Sequence, residues 1–105
     1  MYDSFHANIE ERDPLAEIGR WAGQITHVHI SENDRGIPGR GHIPFPAVFS
    51  AIKKSGYDGW LTVEAFGRGV PELAAATRVW RDLFPDLPTL IRESVSFIRR
   101  GWARA

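Results

Sequence analysis

The sequence predicts an α/β fold in which short parallel strands alternate with amphipathic helices. Three observations carry that expectation. Runs rich in β-branched or aromatic residues open the chain, recur at Ile25 to Ser31 and return in "GWLTVEAF"; apolar stripes at helical spacing lie between them; prolines and glycines mark the boundaries. The first seven residues read as extended, with Tyr2 and Phe5 favouring a strand. Asp13-Pro14 is a helix start, because Asp caps and Pro suits the first helical position. Leu15, Ile18 and Ala22 give that helix one apolar stripe, and Gly23 can end it. The strand at Ile25 to Ser31 follows, then a turn-rich loop, "ENDRGIPGRGHIP". Phe45, Val48, Phe49 and Ile52 recur at i, i+3, i+4 and i+7, a second helix that Gly56 ends. In "GWLTVEAF" Leu61 and Val63 face one way and Trp60, Thr62 and Glu64 the other. A third helix is expected from Pro71 through Leu73, Ala76 and Trp80 to Leu83, and a fourth carrying Ile91, Val95, Ile98 and Trp102. The order β-α-β-α-β-α-α makes a parallel sheet by right-handed crossovers.

Composition narrows the function classes. With 105 residues the chain has the size of one domain, and its 13 basic and 13 acidic side chains cancel. A nucleic-acid or membrane-surface protein would show a basic patch, so neither partner is expected. There are no cysteines, hence no disulfide framework and no thiolate metal site. The acidic start "MYDSFHANIEERDP" does not read as a signal peptide, and no apolar run approaches the ~18 residues that span a bilayer. The expectation is a soluble, cytoplasmic chain.

Chemistry-bearing residues collect where a parallel sheet binds ligands, at the carboxyl ends of its strands. Asp3 and His6 fall at the first strand, His29 with Glu32 and Arg35 at the end of the second, and Glu64 near the end of the third. A carboxylate, an imidazole and a second carboxylate from three neighbouring strands are ligands for a divalent cation, and mixed oxygen and nitrogen donors suit Mn²⁺, Co²⁺, Mg²⁺ or Zn²⁺. His27 and His29 look the same way in a strand, and the pair by itself is compatible with ligation or with packing. Glu64 is the hardest to dismiss, since an unpaired carboxylate on a buried strand is costly. The runs "GRG" at 39 to 41 and "GRGV" at 67 to 70 could offer backbone N–H groups to a phosphate, although such short glycine runs read first as turns.

Three segments, "DSFHANIEE", "HVHISENDRGIPGRGHIPF" and "GYDGWLTVEAFG", resemble the final portion of the sugar phosphate isomerase/epimerase family. Its members have the xylose-isomerase-like TIM barrel and include ketose 3-epimerases. The resemblance covers essentially the whole chain, with motifs up to Phe84. It implies that residues 1–105 form the C-terminal portion of a (β/α)8 barrel, its sixth to eighth strands, with no second domain. It further implies that Asp3 and His29 are metal ligands, that Glu64 is both ligand and catalytic acid/base, and that His6 and Arg35 hold substrate oxygens. His27 has no ligand role in the family pattern and becomes a barrel-interior residue.

The implied cofactor is a divalent ion, Mn²⁺ foremost with Co²⁺ or Mg²⁺ as alternatives. The implied activity is sugar isomerisation or epimerisation by proton abstraction next to a carbonyl, through an enediolate. One departure goes with it: the family's further glutamate ligand, the second acid/base, lies on a strand that would precede Met1. The site is therefore expected to be incomplete in this chain, with self-association or an upstream half-barrel segment supplying the rest and a small sugar as substrate. A polyol dehydratase on the same barrel and a non-catalytic half-barrel are the competing readings. A phosphodiesterase is disfavoured by the neutral charge.

Overall fold

A computed structural model describes all residues, Met1 to Ala105. Strand β1 is Tyr2–Asp3, β2 Val28–Ile30 and β3 Leu61–Val63; they pair parallel in the order β1-β2-β3. Helices α1 (Ser4–Glu10) and α2 (Pro14–Arg20) connect the first two strands, α3 (Phe45–Lys54) the second and third, and α4 (Pro71–Ala76) and α5 (Leu87–Arg104) follow. The register aligns Tyr2 with Val28 and Leu61, and Asp3 with His29 and Thr62. Register partners in a parallel ladder share a face. Val28 and Ile30, both wholly buried, therefore line the helix-packed side, while Asp3, His29 and Thr62 line the other.

The expected opening strand is cut to two residues by a cap. Asp3 accepts the His6 backbone N–H at 3.0 Å through Oδ1, and α1 begins at Ser4. A satisfied helix N-terminus outweighs the strand preference of Phe5. Asp13 caps α2 as expected, taking the Ala16 N–H at 3.0 Å with Pro14 behind it. That helix closes at Trp21, before Gly23, and residues Ala22–Gln24 form a 3₁₀ turn. Only Ile18 of its expected stripe is fully buried, with Leu15 partly so.

Helix α3 follows its pattern: Phe45, Val48, Phe49 and Ile52 are each no more than 1% exposed. Gly56, at φ 80°, ends the segment where a left-handed residue is needed. The rings of Phe45, Phe49 and Phe97 pack with centroids 5.5 to 6.0 Å apart, tying α5 to α3. A Cβ at Gly101 would run into the Phe49 ring, so glycine there allows the close approach of the two helices.

Helix α4 was expected to reach Leu83 but stops at Ala76. Arg78 sits at φ 60°; its N–H donates to Ala75 at 3.3 Å, and the Val79 N–H donates to Ala74 at 2.9 Å. These are the two bonds of a Schellman ending, and both Val79 and Ala74 are buried. Arginine occupies the position that favours glycine. Arg78→Gly should therefore raise stability by about 1 kcal/mol, read as a higher midpoint in thermal unfolding. Trp80, expected on the helix stripe, is 70% exposed.

Asp86 caps α5 by accepting the Thr89 N–H at 2.7 Å. The Thr89 backbone and side-chain hydrogen bonds, helped by Arg92, hold its carboxyl below the usual aspartate range. The cap is thus fully effective above that range and is lost as pH falls through the depressed value. The expected stripe holds in the second half of the helix, at Ile98 and Trp102, and fails in the first. Leu90 and Ser94 are buried, with Phe97, Ile98 and Trp102 against the core, while Ile91 and Val95 are exposed. No helix is long and apolar enough to cross a membrane.

Candidate functional site

The parallel register brings the carboxyl ends of three strands together. Asp3 ends β1, and its partner His29 lies beside it, with His29 Nδ1 3.3 Å from Asp3 Oδ2. Glu64 follows β3 immediately, and its N–H donates to the Ile30 carbonyl at 3.1 Å, prolonging the ladder. Two residues beyond Thr62, it falls on the same face. His29 Nδ1 lies 3.7 Å from Glu64 Oε1. One ligand atom from each of Asp3, His29 and Glu64 fits within 4.8 Å of the others. Asp3 serves two structures at once: Oδ1 caps α1 while Oδ2 faces His29.

The donor set fits a divalent cation. Two carboxylates and an imidazole offer mixed oxygen and nitrogen donors. Atoms that share one ion through bonds of about 2.0–2.3 Å lie about 3–4.5 Å apart, and 3.3 and 3.7 Å fall in that range. The immediate charges, two carboxylates against the single guanidinium of Arg35, leave the cluster net negative.

Arg35 is placed by its backbone and by two aromatic rings. It has φ 65°, its carbonyl accepts the Phe66 N–H at 2.8 Å, and its guanidinium sits 3.8 Å above the Phe5 ring and 5.0 Å from that of Phe66. Nη1 reaches within 3.8 Å of Glu64 Oε2, while Nε is buried without a partner. Cation–π contact of this kind favours a fixed guanidinium plane. Neither Phe5 nor Phe66 was singled out as a site residue by the sequence pattern. Their only signal is that each lies two residues after a cluster carboxylate, Asp3 and Glu64.

His6 is not one of the three clustered side chains, but it lines a cavity together with Asp3. His6 was expected at the first strand; it lies in the first turn of α1, where its ring is exposed, edge-on to Phe5 at 5.1 Å. Its backbone N–H, rather than its imidazole, meets Asp3. His27 is half-buried, one layer below His29 on the same face, with the rings 5.0 Å apart and near-perpendicular. Tyr2, beside Asp3 in the chain, keeps its hydroxyl proton: burial, with the Asp3 charge adding to it, pushes the hydroxyl up to about 12. The phosphate role considered for Gly39 fails, because its N–H is already donated to Glu32 at 2.8 Å.

Three parallel strands with an Asp-His-Glu cluster at their carboxyl ends define an α/β unit whose side chains offer the donor set of a divalent-ion site. The family model described as "Xylose isomerase-like TIM barrel" matches residues 1–101, and the chain belongs to that family. Among curated relatives, an L-ribulose 3-epimerase of Mesorhizobium japonicum is 40% identical over 94% of this chain. A probable ketose 3-epimerase of Synechocystis is 33% identical over 97% of it. A solved L-ribulose 3-epimerase superposes with a TM-score of 0.91 at 38% identity, over 97% of this chain. A D-allulose 3-epimerase of Methylomonas, solved in complex with D-allulose, superposes with a TM-score of 0.87 at 32% identity over 96% of the chain. This chain spans only about a third of the length of these proteins, between 34% and 36%.

Proposed function

We propose that these residues carry one side of the active site of a divalent-metal-dependent ketose 3-epimerase, with Asp3, His29 and Glu64 as ligands and Mn²⁺ as the ion. The convergence of those three side chains within 4.8 Å, with Arg35 against Glu64, supports this reading more than any other observation. When bound, the ion supplies Lewis acidity to the carbonyl and hydroxyl oxygens of the sugar. Glu64 takes the proton from the carbon beside the carbonyl. Arg35 faces the negative oxygen that develops, with donors held by its aromatic neighbours. The exposed ring of His6 lines a cavity together with Asp3, and its assigned role is orientation of the sugar.

Inverting a carbon needs a group on each face. Glu64 serves one face, and the second group is proposed to come from polypeptide beyond these 105 residues. The open face of the sheet agrees with that: Trp60 is 82% exposed and Met1 70%, on the side that a complete barrel would enclose. The uncovered edges of β1 and β3 favour association with a further barrel segment or a second copy.

The experiment is deuterium exchange. The purified chain is incubated with Mn²⁺ and a ketohexose in D₂O, and C3 is followed by NMR with Glu64→Gln as control. Exchange without epimer, abolished in the variant, is the result expected of one working face. Epimer formation would mean that a second copy completes the site. Exchange that persists in the variant would remove Glu64 from the reaction.

A further inference from the structure

We infer that Glu32 is the positioning residue of this site, holding the 32–43 loop in the conformation that lays Arg35 against Glu64. Glu32 is wholly buried. Its Oε1 accepts the N–H groups of Asn33 at 3.0 Å and Ile43 at 3.1 Å, and its Oε2 accepts that of Gly39 at 2.8 Å. One side chain thereby ties together both ends and the middle of a turn-rich segment. Arg35, in the same loop, makes no ion pair with Glu32 and goes to Glu64 instead. Three charge-assisted hydrogen bonds take the place of an ion pair.

Glutamate is specified by the chemistry of the donors. Three N–H groups on two oxygens need a side chain that only accepts, and a glutamine amide would bring an N–H₂ against one of them. Space confirms the fit. A Cβ at Gly41 would lie 2.6 Å from both Cγ and Cδ of Glu32 and would also meet Asn33 Oδ1. The consequence reaches the site through the main chain. The Glu32 carbonyl accepts the Arg35 N–H at 3.0 Å, in the turn that holds Arg35 at φ 65°. A non-glycine residue keeps that conformation only where its surroundings impose it. From there the guanidinium lies over Phe5 with Nη1 toward Glu64.

The significance of this for catalysis rests on the function proposed above, but the placement of Arg35 is read without a metal or a sugar. The ¹⁵N-labelled chain is used, and the Arg35 Nε–Hε signal is followed. Burial should slow its exchange, and the Phe5 ring should shift it from the exposed arginines. In Glu32→Gln that shift and that protection are lost, while the methyl signals of Ile18, Val28 and Ile52 in the core stay in place. Gly41→Ala, which displaces the carboxylate without changing charge, gives the same loss. Arg35→Lys leaves the Gly39 and Ile43 amides unmoved, since the loop is held by Glu32 and not by Arg35.

An Arg35 signal unchanged in Glu32→Gln, alongside shifted Gly39 and Ile43 amides, would overturn the inference, as would a loop that collapses in Arg35→Lys. If Glu32→Gln fails to fold, Gly41→Ala decides; if neither folds, Glu32 supports the fold as a whole and the inference is overturned. A parallel Mn²⁺ titration of the unaltered chain separates the two proposals. No broadening at His29 would sink the metal site and leave the Arg35 result standing.

Discussion

Glu64→Gln is expected to weaken Mn²⁺ binding by more than the roughly 10- to 100-fold that loss of an outer-shell partner costs a metal site. The reason is local. In the proposed site Glu64 supplies one of the three donors, and glutamine offers a neutral oxygen and an N–H₂ in its place. The substitution also changes the charge around Arg35, which then faces no carboxylate at 3.8 Å. Titration calorimetry measures the affinity, and the loss of free-Mn²⁺ signal in electron paramagnetic resonance checks it. Proton exchange at C3 should fall further, by the roughly 10²–10⁴-fold that a positioned acid/base contributes. His6→Ala is the informative contrast. Its ring stands outside the cluster and only its backbone N–H meets Asp3, so Mn²⁺ affinity should be unchanged. Equal losses in the two variants would mean that the ion is held elsewhere.

Phe49→Ala is expected to cost about 3–5 kcal/mol, the range for deleting a buried aromatic ring. Phe49 is wholly buried, stacks on Phe45 at 5.8 Å, meets Phe97 at 6.0 Å and fills the space beside Gly101. The removed ring held α3 to α5 directly. Whole domains are stable by only about 5–15 kcal/mol, so a single loss of this size removes a large part of the total. Chemical denaturation would show the midpoint fall sharply, and near-ultraviolet dichroism would show the aromatic cluster lose its fixed environment. A change below about 1 kcal/mol would mean that the cluster closes over the gap.

Helix α3 was fully legible in the sequence because the same four apolar residues carry its period and its burial. The other helices show where pattern stops being enough. Of the apolar stripe of α5, Ile98 and Trp102 pack against the core while Ile91 and Val95 are exposed; Leu90 and Ser94 are buried instead, and Gly101 lets the helix come close to the Phe49 ring. Helix α4 ends early because a Schellman turn forms around Arg78, where no glycine signals it. Tyr2 and Phe5 suggested a longer strand, but one carboxylate three residues before an available N–H started a helix.

The site divides in the same way. Asp3, His29 and Glu64 were legible because parallel strands place their carboxyl ends side by side, a rule that acts on sequence order alone. His6 was assigned to the strand and lies in a helix. The stacking of Arg35 and the wiring of Glu32 depend on a left-handed residue and on three backbone donors, none of which leaves a periodic trace.

The double use of Asp3 links two equilibria through one carboxylate. With one oxygen closing the start of α1 and the other facing the cluster, any ion held there also steadies the helix cap. By mass action an ion at a hundredfold excess over its Kd adds about 2.7 kcal/mol to whatever it binds selectively. Part of that gain should appear as slower amide hydrogen exchange at His6, whose N–H rests on Asp3 Oδ1. The first turn of α1 then acts as a gauge of occupancy, readable with no substrate and no turnover: protection at that single amide rises as the cluster fills.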